Sequence, residues 1–329
     1  MELILANHSS YPRIGDSPEY QLLRRTIAQW EKGEKTDADL RAAEDRLTGS
    51  ALADQIDAGL DIVTDGQVRW YDPVSHLAGK LSGIRVNGLL RFFDTNTYFR
   101  QPVVYSKVER TKPLVVDEFL FARAKSPRPV KPVLTGPLTL ARLSVEQDGG
   151  TGGSETVLEG YTKALASEVA ELAAAGATLI QVDEPALLKH PGDLAHVARS
   201  LAALAAAKGR AQLALALYFG DPAPIYDELQ ALPVDILTLD FTYNPRLAEV
   251  VATRGSSKTL ALGLVDGRNT KLEDPNTAAR KLERITWGLE PGRMYLTTSC
   301  GLEYLPRDRA RLKLKHLSTI RDAFLGSKA

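Results

Sequence analysis

The chain has 329 residues, 44% of them hydrophobic and 25% charged, a globular composition with enough apolar material for a sizeable core. Lys plus Arg equal Asp plus Glu at 41 each, so no global field draws a polyanion or a lipid surface, which sets nucleic acid and membrane partners aside. One cysteine cannot make an intramolecular disulfide, no apolar run reaches the roughly 18 residues of a membrane helix, and MELILANHSS lacks a signal pattern, so the expected compartment is the cytoplasm.

In chain order, the first strand-like run is ELILAN (2–7). Thr36 with Asp39 reads as a capping box opening a long helix that ends near Gly59, and DIVTDG (61–66) follows as the second strand. The segment 85–108 carries an Asn-Gly turn signal and alternating apolar residues, which predicts a β-hairpin inserted after the second strand, either covering the barrel mouth or plugging one end. KPVLTG (131–136) is the third strand. The glycine-rich DGGTGGS (148–154) lacks the Gly-Lys-Ser/Thr ending of a phosphate loop and reads as a linker or lid. Helices closed by Gly176 and Gly209 precede TLIQVDEP (178–185) and QLALALYFGD (212–221). DILTLDF (235–241), TLALGLVDG (259–267) and MYLTTSCG (294–301) complete the strands, and Leu314, Leu317, Ile320 and Phe324 recur at helical spacing in a last helix.

Eight strands separated by helices predict an α/β fold of the (β/α)8 TIM-barrel type, one domain over 1–329 with the hairpin inserted at 85–108. The active site of such a barrel lies where the strands end. The polar residues there are Asn7, His8, Ser10, Asp65, Gln67, Thr135, Asp183, Glu184, Tyr218, Asp240, Asp266 and Cys300. Acids at the ends of buried strands are costly unless bonded or used. Cys300 is either a nucleophile or metal ligand, or a small buried apolar residue. No Cys-x-x-Cys, His-x-Cys or His-Glu-x-x-His pattern supplies the other ligands of a zinc site, and His8 is the only histidine near a strand end.

HSSYPRIG (8–15), DIVTDGQVRW (61–70), PVLTGPLTL (132–140), IQVDEPAL (180–187) and SCGLEYLP (299–306) together resemble, in order and over nearly the whole chain, the cobalamin-independent methionine synthases, specifically their C-terminal catalytic barrel and the short single-domain core forms. The resemblance implies a methyltransferase that moves a methyl group from a folate, or from a methylcorrinoid carrier, to a small-molecule thiol such as homocysteine. In that family zinc, held by a His-x-Cys pair, a glutamate and the last strand's cysteine, activates the thiol. Here Ala216 stands for the histidine, Tyr218 for the cysteine and Asp240 for the glutamate, leaving Cys300 unchanged. Metal ligation therefore falls to Cys300 and Asp240, with His8 as a conceivable third ligand. The resemblance places Cys300, Tyr218, Asp240 and His8 at the chemistry, and Ser10, Gln67, Asp183 and Glu184 against the substrate. Gln67 replaces a glutamate that, with the counterpart of Asp183, holds the ammonium of homocysteine. The replaced residues also leave a second expectation, a barrel that binds a small molecule or cofactor without methyl transfer.

Overall fold

The computed structural model describes residues 2–147, 153–290 and 292–326, so most of DGGTGGS lies outside the described residues. Its strands are β1 (Glu2–Leu5), β2 (Ser82–Arg91), β3 (Tyr98–Glu109), β4 (Val133–Thr135), β5 (Val145–Glu146), β6 (Leu179–Asp183), β7 (Gln212–Leu217), β8 (Ile236–Asp240), β9 (Thr259–Val265) and β10 (Arg293–Thr298). Seven of them form one parallel sheet in the order β1-β10-β9-β8-β7-β6-β4.

The predicted second strand, DIVTDG, closes that sheet as a pair of bridges instead of a continuous ladder. Ile62 pairs with Ala6 and Val63 with Val130, both in parallel. The Asn7 N–H donates to the Ile62 carbonyl at 3.1 Å and the Lys131 N–H to the Val63 carbonyl at 2.8 Å. All eight staves of the (β/α)8 barrel are thus where the apolar runs stand in the sequence.

Strand alternation sorts the side chains into two cores. Leu213, Leu215 and Leu217 of β7 point outward into the main core beneath the helices. Ala214, on the other face, joins Ala6, Leu179, Ile236, Ala261 and Tyr295 in a layer that fills the barrel. One step further along the strands, Ala216, Tyr218 and Cys300 form a smaller layer at the C-terminal rim. A packed interior of this kind leaves chemistry to the rim.

The helices obey their local signals. Thr36 and Asp39 form the reciprocal capping box of helix Asp37–Asp57, and Gly59 and Gly176 close their helices with φ of 82° and 91°, a conformation that costs a side-chain-bearing residue about 1–2 kcal/mol. The last helix, Arg307–Gly326, is tied to the barrel's beginning through Asp54, which accepts from Arg307 Nε at 3.0 Å and from the Tyr11 hydroxyl at 3.2 Å.

β2 and β3 pair antiparallel, and β5 adds to β3 in parallel. The Asn-Gly signal does not make the turn: Asn87 and Gly88 lie where the register slips between Val86 and Leu89, a bulge inside β2. The reversal occurs at 92–97, where the Phe92 N–H donates to the Thr97 carbonyl at 2.9 Å. Tertiary packing sets this choice, because the Phe92 and Phe93 rings meet Phe219, which follows β7, at 6.3 and 6.0 Å. Arg268 adds a hydrogen bond of 2.7 Å to the Asp94 carbonyl. The tip of the hairpin thus covers the barrel mouth.

Candidate active site at the barrel rim

Positions 179, 181 and 183 alternate onto the inner face of β6, which brings Gln181 and Asp183 into the barrel and sends Glu184 away from it. Lys131, whose ammonium is buried, donates to the His8 carbonyl at 2.9 Å and to Gln181 Oε1. Gln181 Nε2 in turn donates to Asp183 Oδ1 at 2.7 Å, and the Tyr218 hydroxyl donates to Asp183 Oδ2 at 3.1 Å. The result is a continuous chain Lys131, Gln181, Asp183, Tyr218, ending in the layer that holds Cys300.

Burial pushes the Asp183 carboxyl up to about 7, against the pull of its hydrogen bonds and of Lys131. Burial also holds the Lys131 ammonium down near 7, against the pull of Asp183. Tyr218 and Cys300 are both pushed well above their ordinary values, first by burial and then by Asp183 in one case and Asp240 in the other. The Cys300 thiol therefore stays protonated at neutral pH, and a thiol is a poor nucleophile in that state.

His8 is buried, its Nδ1 lies 2.9 Å from Ser9 Oγ, and its ring packs edge-on against Tyr218 at 5.3 Å. Burial, followed by the charge of Lys131, lowers its pKa well below the usual value, so it is a neutral packing and hydrogen-bonding group. Asp240 Oδ1 accepts the Thr242 N–H and hydroxyl, both at 2.7 Å, the bonds of a strand-ending turn.

Glu184, expected against the substrate, faces away from the barrel interior and bonds to the start of a helix. Its carboxylate accepts the Leu138 N–H at 2.9 Å, the Thr139 N–H at 2.8 Å and the Thr139 hydroxyl at 2.6 Å, which fixes the start of helix Pro137–Leu143. A zinc site is also not assembled. Among the described residues no three of His, Cys, Asp or Glu are grouped to hold a metal ion, so His8 does not join Cys300 and Asp240 as a third ligand. Ala216 offers no donor, the Tyr218 hydroxyl is spent on Asp183, and one oxygen of Asp240 is taken by its turn. Residues of this kind do not fit a tetrahedral zinc ion, which needs about four N, S or O ligands.

Ser10 follows β1 and Gln67 follows the DIVTDG stave. Ser10 is buried against Gly301, where a Cβ would stand 2.0 Å from Ser10 Oγ, so only glycine fits beside Cys300. Gln67 has φ of 52° and its N–H donates to Asp65 Oδ1 at 3.0 Å. Gln67, Phe93 and Phe219 are the non-glycine residues with positive φ among those described, and all three border the mouth.

Gln67 lines a cavity of about 140 Å³ with Tyr11, Arg13, Tyr71, Asp72 and Glu303. Sequence reasoning missed Arg13, Lys131, Gln181 and Glu303. Gln181 carried a usable signal, a polar residue two positions before Asp183 in an apolar run; Glu303 follows the last strand and reaches the cavity only through the fold. A larger cavity, about 590 Å³, opens between the loops after β8 and β9 and helix Pro275–Thr286, and none of Ser10, Gln67, Asp183 or Cys300 lines it.

Fold and site together define a (β/α)8-barrel enzyme whose polar groups converge at the C-terminal rim under a hairpin cover. Residues 12–322 match the family described as cobalamin-independent synthase, catalytic domain, and the chain belongs to that family as a methionine-synthase-like methyltransferase. It is 31% identical to the methionine synthases of Sulfurisphaera tokodaii and Saccharolobus solfataricus, over 92% of this chain and 89% and 90% of theirs. Its fold resembles the B12-independent methionine synthase of Shewanella sp. W3-18-1, solved with selenomethionine, at a TM-score of 0.82 and 22% identity, covering 100% of this chain and 98% of that one. A methyltransferase from Methanosarcina mazei is similar at a TM-score of 0.64 and 15% identity, over 97% and 94% of the two chains. No helix among the described residues is long and apolar enough to cross a membrane.

Proposed function

We propose that this enzyme methylates the thiol of homocysteine with Asp183 as the base, and that it does so without the thiolate-activating zinc of its family. The observation that carries this reading is the setting of Asp183, a carboxylate at the end of β6 whose pKa lies near neutrality and which is oriented by Gln181 and by Tyr218. A general base works best when its pKa lies near the working pH. Tyr218 is contributed from the position where a metal ligand would stand, so the substitution that dismantles a zinc site also builds the hydrogen bond that orients the carboxylate.

In the reaction the S–H bond breaks and its proton passes to Asp183, sulfur forms a bond to the methyl carbon, and the donor's carbon–nitrogen bond breaks with the electron pair going to nitrogen. The leaving nitrogen takes up a proton, which the protonated Asp183 can return. Ser10 and Gln67 face the acceptor, His8 buttresses Tyr218, and Cys300 fills the floor beneath them. Asp240 shapes the loop after β8. A folate is the donor this reading favours, since the family is described as cobalamin-independent and gives a corrinoid carrier no support.

The test is product formation. Purified enzyme incubated with homocysteine and methyltetrahydrofolate is expected to release methionine, and methylcobalamin in place of the folate is expected to release none. Absence of methionine from the folate reaction would sink the proposal.

A further inference from the structure

The ammonium of an amino-acid substrate needs a carboxylate, and this chain has Gln67 where the family resemblance puts one. The cavity lined by Gln67 does hold two acids, Asp72 and Glu303. They differ in what they are free to do. Asp72 is consumed by the helix it starts: Oδ1 accepts the Val74 and Ser75 N–H groups at 2.9 and 2.6 Å, and Oδ2 accepts the Ser75 hydroxyl and the Arg100 N–H at 2.5 and 3.1 Å. Burial raises the Glu303 carboxyl's pKa, and the hydroxyls of Ser10 and Tyr304 beside it pull the other way. An ionised carboxylate offers about four acceptor positions, so two hydroxyl donors leave room for a cation.

The cavity also holds a cation, Arg13, which feels the charges of Glu44 and Glu303 and still has a donor to spare. Arg13 stacks over Tyr71 at 5.4 Å, and its Nε is buried without a hydrogen-bond partner, an arrangement that costs the desolvation of that N–H and gives nothing back until an acceptor arrives. Guanidinium groups match carboxylates through paired N–H donors. One wall of the cavity thus presents a carboxylate and another a guanidinium, the complement of a zwitterion. The Glu303 charge raises the pKa values of Asp183, Tyr218 and Cys300, so it is felt at the reacting end of the site.

We propose that Glu303 replaces the missing glutamate at position 67 as the acceptor for the substrate's α-ammonium, with Arg13 taking its α-carboxylate. This rests on the reading that the methyl acceptor is an amino-acid thiol. It frees Asp183 from ammonium binding, so that the carboxylate already held by Tyr218 is available to the thiol proton. It also explains how a chain carrying Gln67 retains an acidic ammonium site.

Calorimetric titration of the intact enzyme with homocysteine, methionine and 4-mercaptobutanoate, which lacks the ammonium, tests it. Wild type is expected to bind homocysteine at least tenfold more tightly than 4-mercaptobutanoate, and Glu303→Gln to weaken homocysteine and methionine by about 10- to 100-fold, the loss of one charged hydrogen bond, while leaving 4-mercaptobutanoate unchanged. Gln67→Glu combined with Glu303→Gln is expected to restore the amino acids by returning the charge to the same cavity. Equal affinity of wild type for the two thiols overturns the proposal without any variant having to fold. So does a Glu303→Gln protein that binds all three ligands as wild type does, or loses all three alike; in those cases methionine formation by wild type still stands. Wild type that binds neither homocysteine nor methionine overturns this proposal and the functional reading together.

Discussion

Replacing Asp183 with asparagine is expected to lower kcat for methyl transfer by about 10²- to 10⁴-fold, the range a positioned general base contributes. Asparagine keeps the shape and one acceptor oxygen, enough for the Tyr218 bond or the Gln181 bond but not both, and it has no basicity, so the loss reports chiefly the missing base. The sign of the pH dependence follows from the raised pKa. Asp183 is the reactive carboxylate only when ionised, and its pKa is about 7. In wild type kcat/KM should therefore climb roughly tenfold per pH unit below that value and level above it. The variant should lose this limb. Were Asp183 only an ammonium ligand, the substitution would raise KM and leave the limb in place, so the split between kcat and KM separates the two roles.

The second large effect concerns the metal. Ala216 and Tyr218 alternate onto the inner face at the end of β7 and pack in one cluster with Cys300. A triple variant carrying Ala216→His, Tyr218→Cys and Asp240→Glu supplies, with Cys300, four conventional zinc ligands at the ends of β7, β8 and β10. It is expected to retain about one zinc per chain through dialysis, with affinity raised over wild type by on the order of 10³-fold or more, since metal affinity depends on ligand number and identity. Wild type is expected to emerge without zinc under the same treatment. The gain should come at the cost of the Tyr218 bond to Asp183, so the variant's pH limb should shift as well. A wild-type protein that holds one zinc through dialysis would contradict the account of the ligand set.

Much of the barrel was legible because each stave is a short apolar run with a helix after it, and buried parallel strands must be apolar on both faces. DIVTDG was legible as a stave though its backbone makes only two bridges. The hairpin's turn was misplaced. Asn87-Gly88 is a strong local signal, but the packing of Phe92 and Phe93 on Phe219 decided the reversal, and no local rule reports a contact across so much intervening chain. At the rim, the meeting of Cys300 and Tyr218 in one cluster and the bond from Tyr218 to Asp183 were legible as places at strand ends. The direction of Glu184 was legible too: alternation sends adjacent residues to opposite faces, so Asp183 pointing in implies Glu184 pointing out. Glu303 and Arg13 were missed for a different reason. Each follows a strand end by several residues, and only the closed barrel brings positions 13, 67 and 303 around one cavity.

The central claim is that a chain with one of its family's four zinc ligands unchanged still methylates a thiol, with a carboxylate and a tyrosine in the metal's place. The most direct measurement is the rate of methionine formation from homocysteine and methyltetrahydrofolate by wild-type enzyme stripped of metal, assayed with chelator present and again with zinc added. The account predicts methionine at the same rate in both. An enzyme silent in chelator and active only with zinc would contradict it.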